Sequence, residues 1–349
     1  MRTGIVIDQR FLSHRTAEGH PESHQRLEAI YESLADLKAP SALLEIVPRL
    51  ATTEEIAWVH QSHYVRRVAA TAGHSQVRLT PDTLTSAGSY TAALLAAGGL
   101  FEALTRIQAG TIDNAIVLAR PPGHHAEQSR AMGFCLFNTI ALGARFAQNV
   151  LRMKRVLIVD WDVHHGNGTQ HAFERDDSVL FFSLHQFPLF PGTGIFTETG
   201  LGRGEGYTIN IPLPKGYGDA EYLAIFEAIL KPVAMAFKPE LVLVSAGFDT
   251  HAADPIGGMR MTAEGFGALT RFLMDLAQAC CDGRMALCLE GGYHYQALQR
   301  SVRSVLFELT GTVQTDIKGM SAQVDSAKTR YAIKRCVQVH QSYWACLRP

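Results

Sequence analysis

Six short apolar runs, four of which open directly into clusters of histidine, aspartate, glutamate or tyrosine, constrain this chain more than any other feature. The runs cover residues 4–8, 115–119, 155–160, 179–184, 241–245 and 286–289, and they lack polar alternation. A strand with one face in water alternates apolar with polar side chains, so these runs read as strands buried on both faces. Stretches of helical character lie between them, at 22–37, 53–70, 83–108, 137–153, 220–237, 263–281 and 295–309. Thr52, ahead of Glu54 and Glu55, reads as an N-cap. Strands alternating with helices predict an α/β fold, a parallel sheet covered by helices on both faces. No repeat, low-complexity tract or Pro/Ser-rich linker divides the 349 residues. A single domain over residues 1–311 is therefore expected, with a C-terminal helical extension at 312–349 packed on it.

Bulk properties narrow the function classes. The formal net charge is −1, so no basic surplus points to nucleic acid. No apolar run approaches twenty residues, and the first residues lack the apolar core of a secretory signal, so neither a membrane span nor export is expected. Six cysteines, at 135, 280, 281, 288, 336 and 346, form no Cys-x-x-Cys pair and are too sparse for a disulfide scaffold. A reducing, cytoplasmic setting fits them.

Where the unusual residues fall is more informative. Active sites of open parallel sheets form beyond the carboxyl ends of the strands. Run 115–119 leads to Arg120-Pro121-Pro122-Gly123-His124-His125, and run 155–160 to Trp161-Asp162-Val163-His164-His165-Gly166-Asn167. Run 241–245 leads to Ala246-Gly247-Phe248-Asp249, and run 286–289 to Glu290-Gly291-Gly292-Tyr293. In an extended segment residues two apart share a face, so Asp160, Asp162 and His164 line one wall. Asp162, His164 and Asp249 can together hold a zinc ion with an open position, the ligand set of a catalytic rather than a structural site. Taken alone, Asp-x-His more often marks a solvated loop or an ion pair; the neighbouring clusters favour the metal. The imidazole and the small ligand number favour zinc over calcium. Asp160 can hold one histidine of the His124-His125 pair and Asn167 the other, an arrangement suited to proton transfer, although a lone histidine is usually a structural hydrogen-bonder. The Tyr293 phenol, brought round by Gly291 and Gly292, can donate to a developing oxyanion; by itself such a tyrosine usually packs on its turn.

Together these residues resemble the arginase/deacetylase superfamily, specifically histone deacetylases and their bacterial homologues. The motifs are Arg-Pro-Pro-Gly-His-His-Ala at 120–126, Gly-Phe-Cys-Leu-Phe-Asn at 133–138, Asp-Trp-Asp-Val-His-His-Gly-Asn-Gly-Thr at 160–169, Ser-Leu-His at 183–185, Pro-Gly-Thr-Gly at 191–194, Ser-Ala-Gly-Phe-Asp at 245–249 and Leu-Glu-Gly-Gly-Tyr at 289–293. The resemblance implies about eight parallel strands, one zinc on Asp162, His164 and Asp249, and His124 and His125 as the acid–base pair supported by Asp160 and Asn167. Tyr293 is the implied oxyanion donor. Phe134 and Phe190 are implied as walls of a narrow acyl-lysine tunnel, and Gly133, Gly292, Ile256, Asp82 and Arg26 as further substrate-binding positions, Arg26 beside an inner channel. It also implies a structural potassium near Asp160, Ser183 and Leu184, and a dimer or tetramer. Asn167 in place of an aspartate resembles the class II and bacterial enzymes. The reaction expected is hydrolysis of an acyl-lysine, with small-molecule amides such as acetylpolyamines as the alternative. Ile256 speaks against a polyamine, because the polyamine-specific relatives carry an acidic residue there. Following Tyr293, His294 stands where a small polar residue is expected.

Overall fold

A computed structural model describes residues 1–35 and 42–348. Ten strands occur among them: β1 (Thr3–Val6), β2 (Leu43–Glu45), β3 (Val77–Thr80), β4 (Thr83–Thr85), β5 (Asn114–Val117), β6 (Val156–Asp160), β7 (Val179–Gln186), β8 (Thr208–Leu213), β9 (Leu241–Ala246) and β10 (Met285–Leu289). Eight form one sheet in the order β2-β1-β5-β10-β9-β6-β7-β8, with every pair parallel. Every residue of β1, β5, β6, β9 and β10 is buried, as two covered faces require. Helices flank the sheet, giving a single α/β domain. Register aligns the carboxyl ends of the central strands: Asp160 pairs with both Ser183 and Ser245, and Leu289 with Ala246. The loops that follow are thereby delivered to one edge.

The core strands are where the apolar runs placed them, and departures have local causes. Residues 83–108 do not form one helix. Thr83–Thr85 is β4, paired antiparallel with β3 across a Pro81-Asp82 turn, and the helix begins at Ser89 after Gly88. Two β-branched threonines flanking a leucine favour the extended chain. Residues 53–70 break into Thr53–Ile56 and Ser62–Ala69, the first opened by a capping box between Thr52 and Glu55. The stretch expected at 22–37 is helical over Gln25–Ala35; residues 36 and 37 lie outside the described residues. Over 220–237 the chain is helical, but a π turn at Phe226–Leu230 separates Asp219–Ile225 from Lys231–Phe237. Pro232 lacks the N–H that a continuous α-helix needs there. Edge strands β2 and β8 carry no long apolar run; Pro212 inside β8 is tolerated because the strand lies at the sheet edge.

After residue 312 come Ile317–Ser321 and Ser326–His340. The Tyr217 hydroxyl donates to Lys328 O at 2.6 Å, and the Trp344 indole N–H to Gly206 O at 2.8 Å. No helix among the described residues is long and apolar enough to cross a membrane.

Candidate active site

The loops after β6 and β9 bring Asp162, His164 and Asp249 together, with one donor atom from each lying within 4.8 Å of the others. His164 Nδ1 is 3.1 Å from Asp162 Oδ1 and 3.2 Å from Asp249 Oδ2, and all three residues are buried. Backbone amides occupy the other lone pairs. Asp162 Oδ2 accepts from Gly291 N at 2.8 Å and Asp249 Oδ1 from Val163 N at 2.8 Å. Asp249 Oδ2 is buried with no aligned hydrogen-bond donor, despite the nearby imidazole. Such an orphaned acceptor costs about 1–3 kcal/mol. Burial and the Asp162 charge push Asp249 up to about 7. Burial opposes charge on His164, but the hydrogen bond to Asp162 and the adjacent Asp249 carboxylate hold it up at about 9. The cluster is thus short of positive charge, and two carboxylates with one imidazole fit a divalent ion of zinc type. Two glycines make the convergence possible. A Cβ at Gly247 would stand 2.0 Å from Asp162 Oδ2, and one at Gly291 2.1 Å from Asp249 Oδ2.

Beside the cluster stands the histidine pair, its ring centroids 4.0 Å apart. His124 Nδ1 is 3.0 Å from Asp160 Oδ2, and His125 Nδ1 is 2.7 Å from Asn167 Oδ1. Burial works against charge on His124, but Asp160, Asp162 and Glu290 outweigh it and push the imidazole well above its usual range. Burial, then the charges of His124 and His164, push His125 well below it. The environments separate the pair into one cationic and one neutral ring, the division of labour that acid–base chemistry requires. Glu290 secures the turn that carries them, its Oε2 accepting from Gly123 N at 2.7 Å and His124 N at 3.2 Å.

Tyr293 is half-buried, and the Arg26 guanidinium lies 4.9 Å from its ring centroid. Burial and then the Asp249 charge raise the phenol well above its ordinary value, so it stays protonated. Two anchors hold its turn. Arg26 Nε donates to Gly292 O and Arg26 Nη2 to Glu290 O, each at 2.6 Å, while Asp254 Oδ2 accepts from Tyr293 N at 2.6 Å and His294 N at 3.3 Å. Glu22 in turn pairs with Arg26 at 3.0 Å and with Arg120, wholly buried. His294 caps the helix Tyr295–Thr310, with Nδ1 accepting from Ala297 N at 3.2 Å, which accounts for a polar ring at that position.

Aromatic rings border the site. Phe190, 40% exposed, stands 5.1 Å from the His125 ring and 6.2 Å from His164, and Phe134 stands 6.3 Å from Tyr293. Phe134 has φ +69° and Gly133 φ +55°, left-handed in succession. A Cβ on Gly133 would meet the His125 ring at 2.3 Å. Asp82 and Thr83, on the β3–β4 hairpin, hold both residues: Gly133 N donates to Asp82 Oδ2 at 3.0 Å and Phe134 N to Thr83 Oγ1 at 3.1 Å. Asp82 Oδ1 also accepts from Thr80 and Thr83, so that carboxylate is engaged within the chain. Ile256 is half-buried beside Asp254, whose Oδ1 accepts its N–H at 3.0 Å. At the residues implied for potassium, Ser183 Oγ lies 2.9 Å from His185 Nδ1, Asp160 Oδ1 accepts from Asp162 N at 3.1 Å, and Leu184 is fully buried. Sequence reasoning assigned no role to Glu22, Asp254, Glu290 or Glu127. Asp254-Pro255-Ile256-Gly257-Gly258 carries an Asx-turn signal, and Glu22 stands four residues before Arg26; the other two show no local signal.

A histone deacetylase domain model matches residues 20–309. The chain is 36% identical to a probable deacetylase of Archaeoglobus fulgidus over the full length of both. It is 42% identical to histone deacetylase 15 of Arabidopsis thaliana, over 88% of this chain and 57% of that one. Identity to histone deacetylase HDA1 of Saccharomyces cerevisiae is 35%, over 100% and 53%. The chain thus spans little more than half the length of these plant and yeast relatives. The crystal structure of the HDA15 HD domain superposes with a TM-score of 0.92 at 39% identity, covering 99% of this chain and 96% of that one.

Proposed function

The chain belongs to the histone deacetylase family and is an amide-hydrolysing deacetylase, and from that premise we propose that it is a zinc-dependent deacylase freeing an acylated lysine side chain to amine and carboxylate. The observation that carries the reading is the meeting of Asp162, His164 and a donorless, buried Asp249 Oδ2 next to a histidine pair of opposite character. Zinc bound there would polarise the acyl carbonyl and lower the pKa of a water to about 7. His125, its Nδ1–H given to Asn167, keeps Nε2 to accept the proton of the attacking water. His124, held to Asp160, balances the charge that develops, and a protonated histidine returns a proton to the departing amine. Tyr293 donates its O–H to the oxygen that gains charge, an interaction worth roughly 2.7–4 kcal/mol where such donors have been removed. Phe134 and Phe190 offer apolar walls to an aliphatic lysine stem, and the apolar Ile256 gives no partner to a second cationic amine.

The purified full chain tests this on acetyl-lysine and trifluoroacetyl-lysine peptides beside acetylputrescine. Peptide hydrolysis should vanish on chelation and return with zinc at one ion per chain. A rate that survives complete metal removal overturns the zinc, and faster turnover of acetylputrescine than of either peptide overturns the lysine substrate.

A further inference from the structure

Asn167 does more than touch His125. Its Oδ1 faces His125 Nδ1 at 2.7 Å, while its Nδ2 donates to Glu127 Oε1 at 2.5 Å. The same nitrogen is 3.4 Å from His125 O. Glu127 is itself held on two sides. Its backbone carbonyl is 2.9 Å from His60 Nδ1, and His60 Nε2 accepts from Asn138 N at 2.9 Å, so the His60 proton sits on Nδ1 and is donated to Glu127 O. Both carboxylate oxygens lie 3.0 Å from His171 Nδ1. Asn167 and His171 are four residues apart on the helix Asn167–Phe173, hence on one face, with the Glu127 carboxylate bonded to both.

An amide offers an oxygen or an NH₂ to whatever it faces, and its orientation decides which proton arrangement its neighbour adopts. An ionised carboxylate only accepts. Glu127 therefore draws the Asn167 NH₂ to itself and leaves the oxygen for His125. An oxygen at Nδ1 demands the Nδ1–H tautomer, which leaves Nε2 as the proton acceptor. With the amide turned over, an NH₂ would face Nδ1 and select the Nε2–H form, which cannot accept a proton at the reacting edge. We propose that Glu127 is a positioning residue that selects the His125 tautomer through Asn167. The arrangement also explains why an asparagine is required here. An aspartate at 167 would set a second carboxylate against Glu127 at hydrogen-bond distance, and like charges so close cannot both ionise. Hydrogen bonding to Glu127, opposed by burial, raises His171 above its usual value, and its partly exposed ring covers the carboxylate from the solvent side. The role rests on the deacylase reading for its kinetic consequence only; the tautomer can be measured without it.

The test uses the full chain labelled with ¹⁵N-histidine, with long-range ¹H–¹⁵N spectra reporting ring protonation and His125→Ala identifying the signal. The native protein should show His125 protonated at Nδ1. Glu127→Ala should shift it toward the Nε2–H form and lower kcat roughly tenfold, with KM little changed. Bound metal and the thermal midpoint, measured in parallel, should stay near native. A cycle keeps the inference testable if Glu127→Ala folds poorly. Asn167→Asp should lower kcat, and adding Glu127→Gln should restore most of it, because the glutamine amide can donate to the new carboxylate. An unmoved His125 tautomer in Glu127→Ala, or additive effects across the cycle, overturns the positioning role. Should the chain hydrolyse no acyl-lysine, the deacylase reading falls while the spectra still decide the role of Glu127.

Discussion

At the scale of single residues, the site depends on side chains that are absent. Gly291 lies against the carboxylates of both Asp249 and Asp162, its would-be Cβ 2.1 Å from Asp249 Oδ2 and 2.6 Å from Asp162 Oδ2. Its N–H also holds Asp162 Oδ2. Gly291→Ala should therefore spread the two acids and weaken zinc on the order of 10–100-fold. Competition with a fluorescent chelator reads this directly, and circular dichroism should show the fold intact; native zinc affinity would remove the glycine's role. Asp162, His164 and Asp249 were legible in the sequence because chemistry-bearing residues at strand ends share an edge by topology alone. Glu127 and Glu290 were not, and Asp254 showed only the signal of a turn. Each acts on a backbone amide or side chain brought near by folding, a partnership that no spacing in the sequence records.

Among elements, strands buried on both faces were readable and edges were not. Continuous apolar runs announce β5, β6, β9 and β10, whereas the β3–β4 hairpin is short and polar enough to pass for the start of a helix. The turn after β10 is legible only in its glycines; its rigidity comes from Arg26 and Asp254, far away in sequence. Asp254→Ala strips the acceptor from the Tyr293 and His294 amides and from Ile256 N. Misplacing the phenol at a cost of about 1.4 kcal/mol corresponds to a tenfold loss of turnover. We expect kcat to fall by about that factor with zinc content and KM near native. A drop in thermal midpoint with kcat preserved would mean that the clamp serves folding alone.

Over the whole molecule, burial of neutral histidines ties stability to pH. Burial lowers His60 to about 4 and His185 to about 3. The unfolded chain binds these protons from about pH 6.5 downward, and the folded chain only near pH 4 or below. Their stabilisation is therefore complete above pH 6.5 and is lost as the pH falls. For His60, bridging Glu127 O and Asn138 N, the loss reaches about 3 kcal/mol by pH 4. Asp249 and Glu290, each pushed up to about 7, pull the opposite way, so the informative quantity is the difference between the native chain and His60→Gln. Urea midpoints of the two should converge between pH 6.5 and 4; curves that stay parallel would show that His60 does not titrate as its burial demands.

Gly133 and Phe134 are held by Asp82 and Thr83, two hairpin residues that sit 51 positions earlier in the chain and make no hydrogen bond to Asp162, His164, Asp249 or the histidine pair. With Phe134 as the proposed wall of the acyl-lysine pocket, what the pocket admits would be governed from a different stretch of sequence than the proposed catalytic groups. On that proposal, changes in the hairpin would alter which acyl guests are accepted while leaving the bond-breaking groups in place.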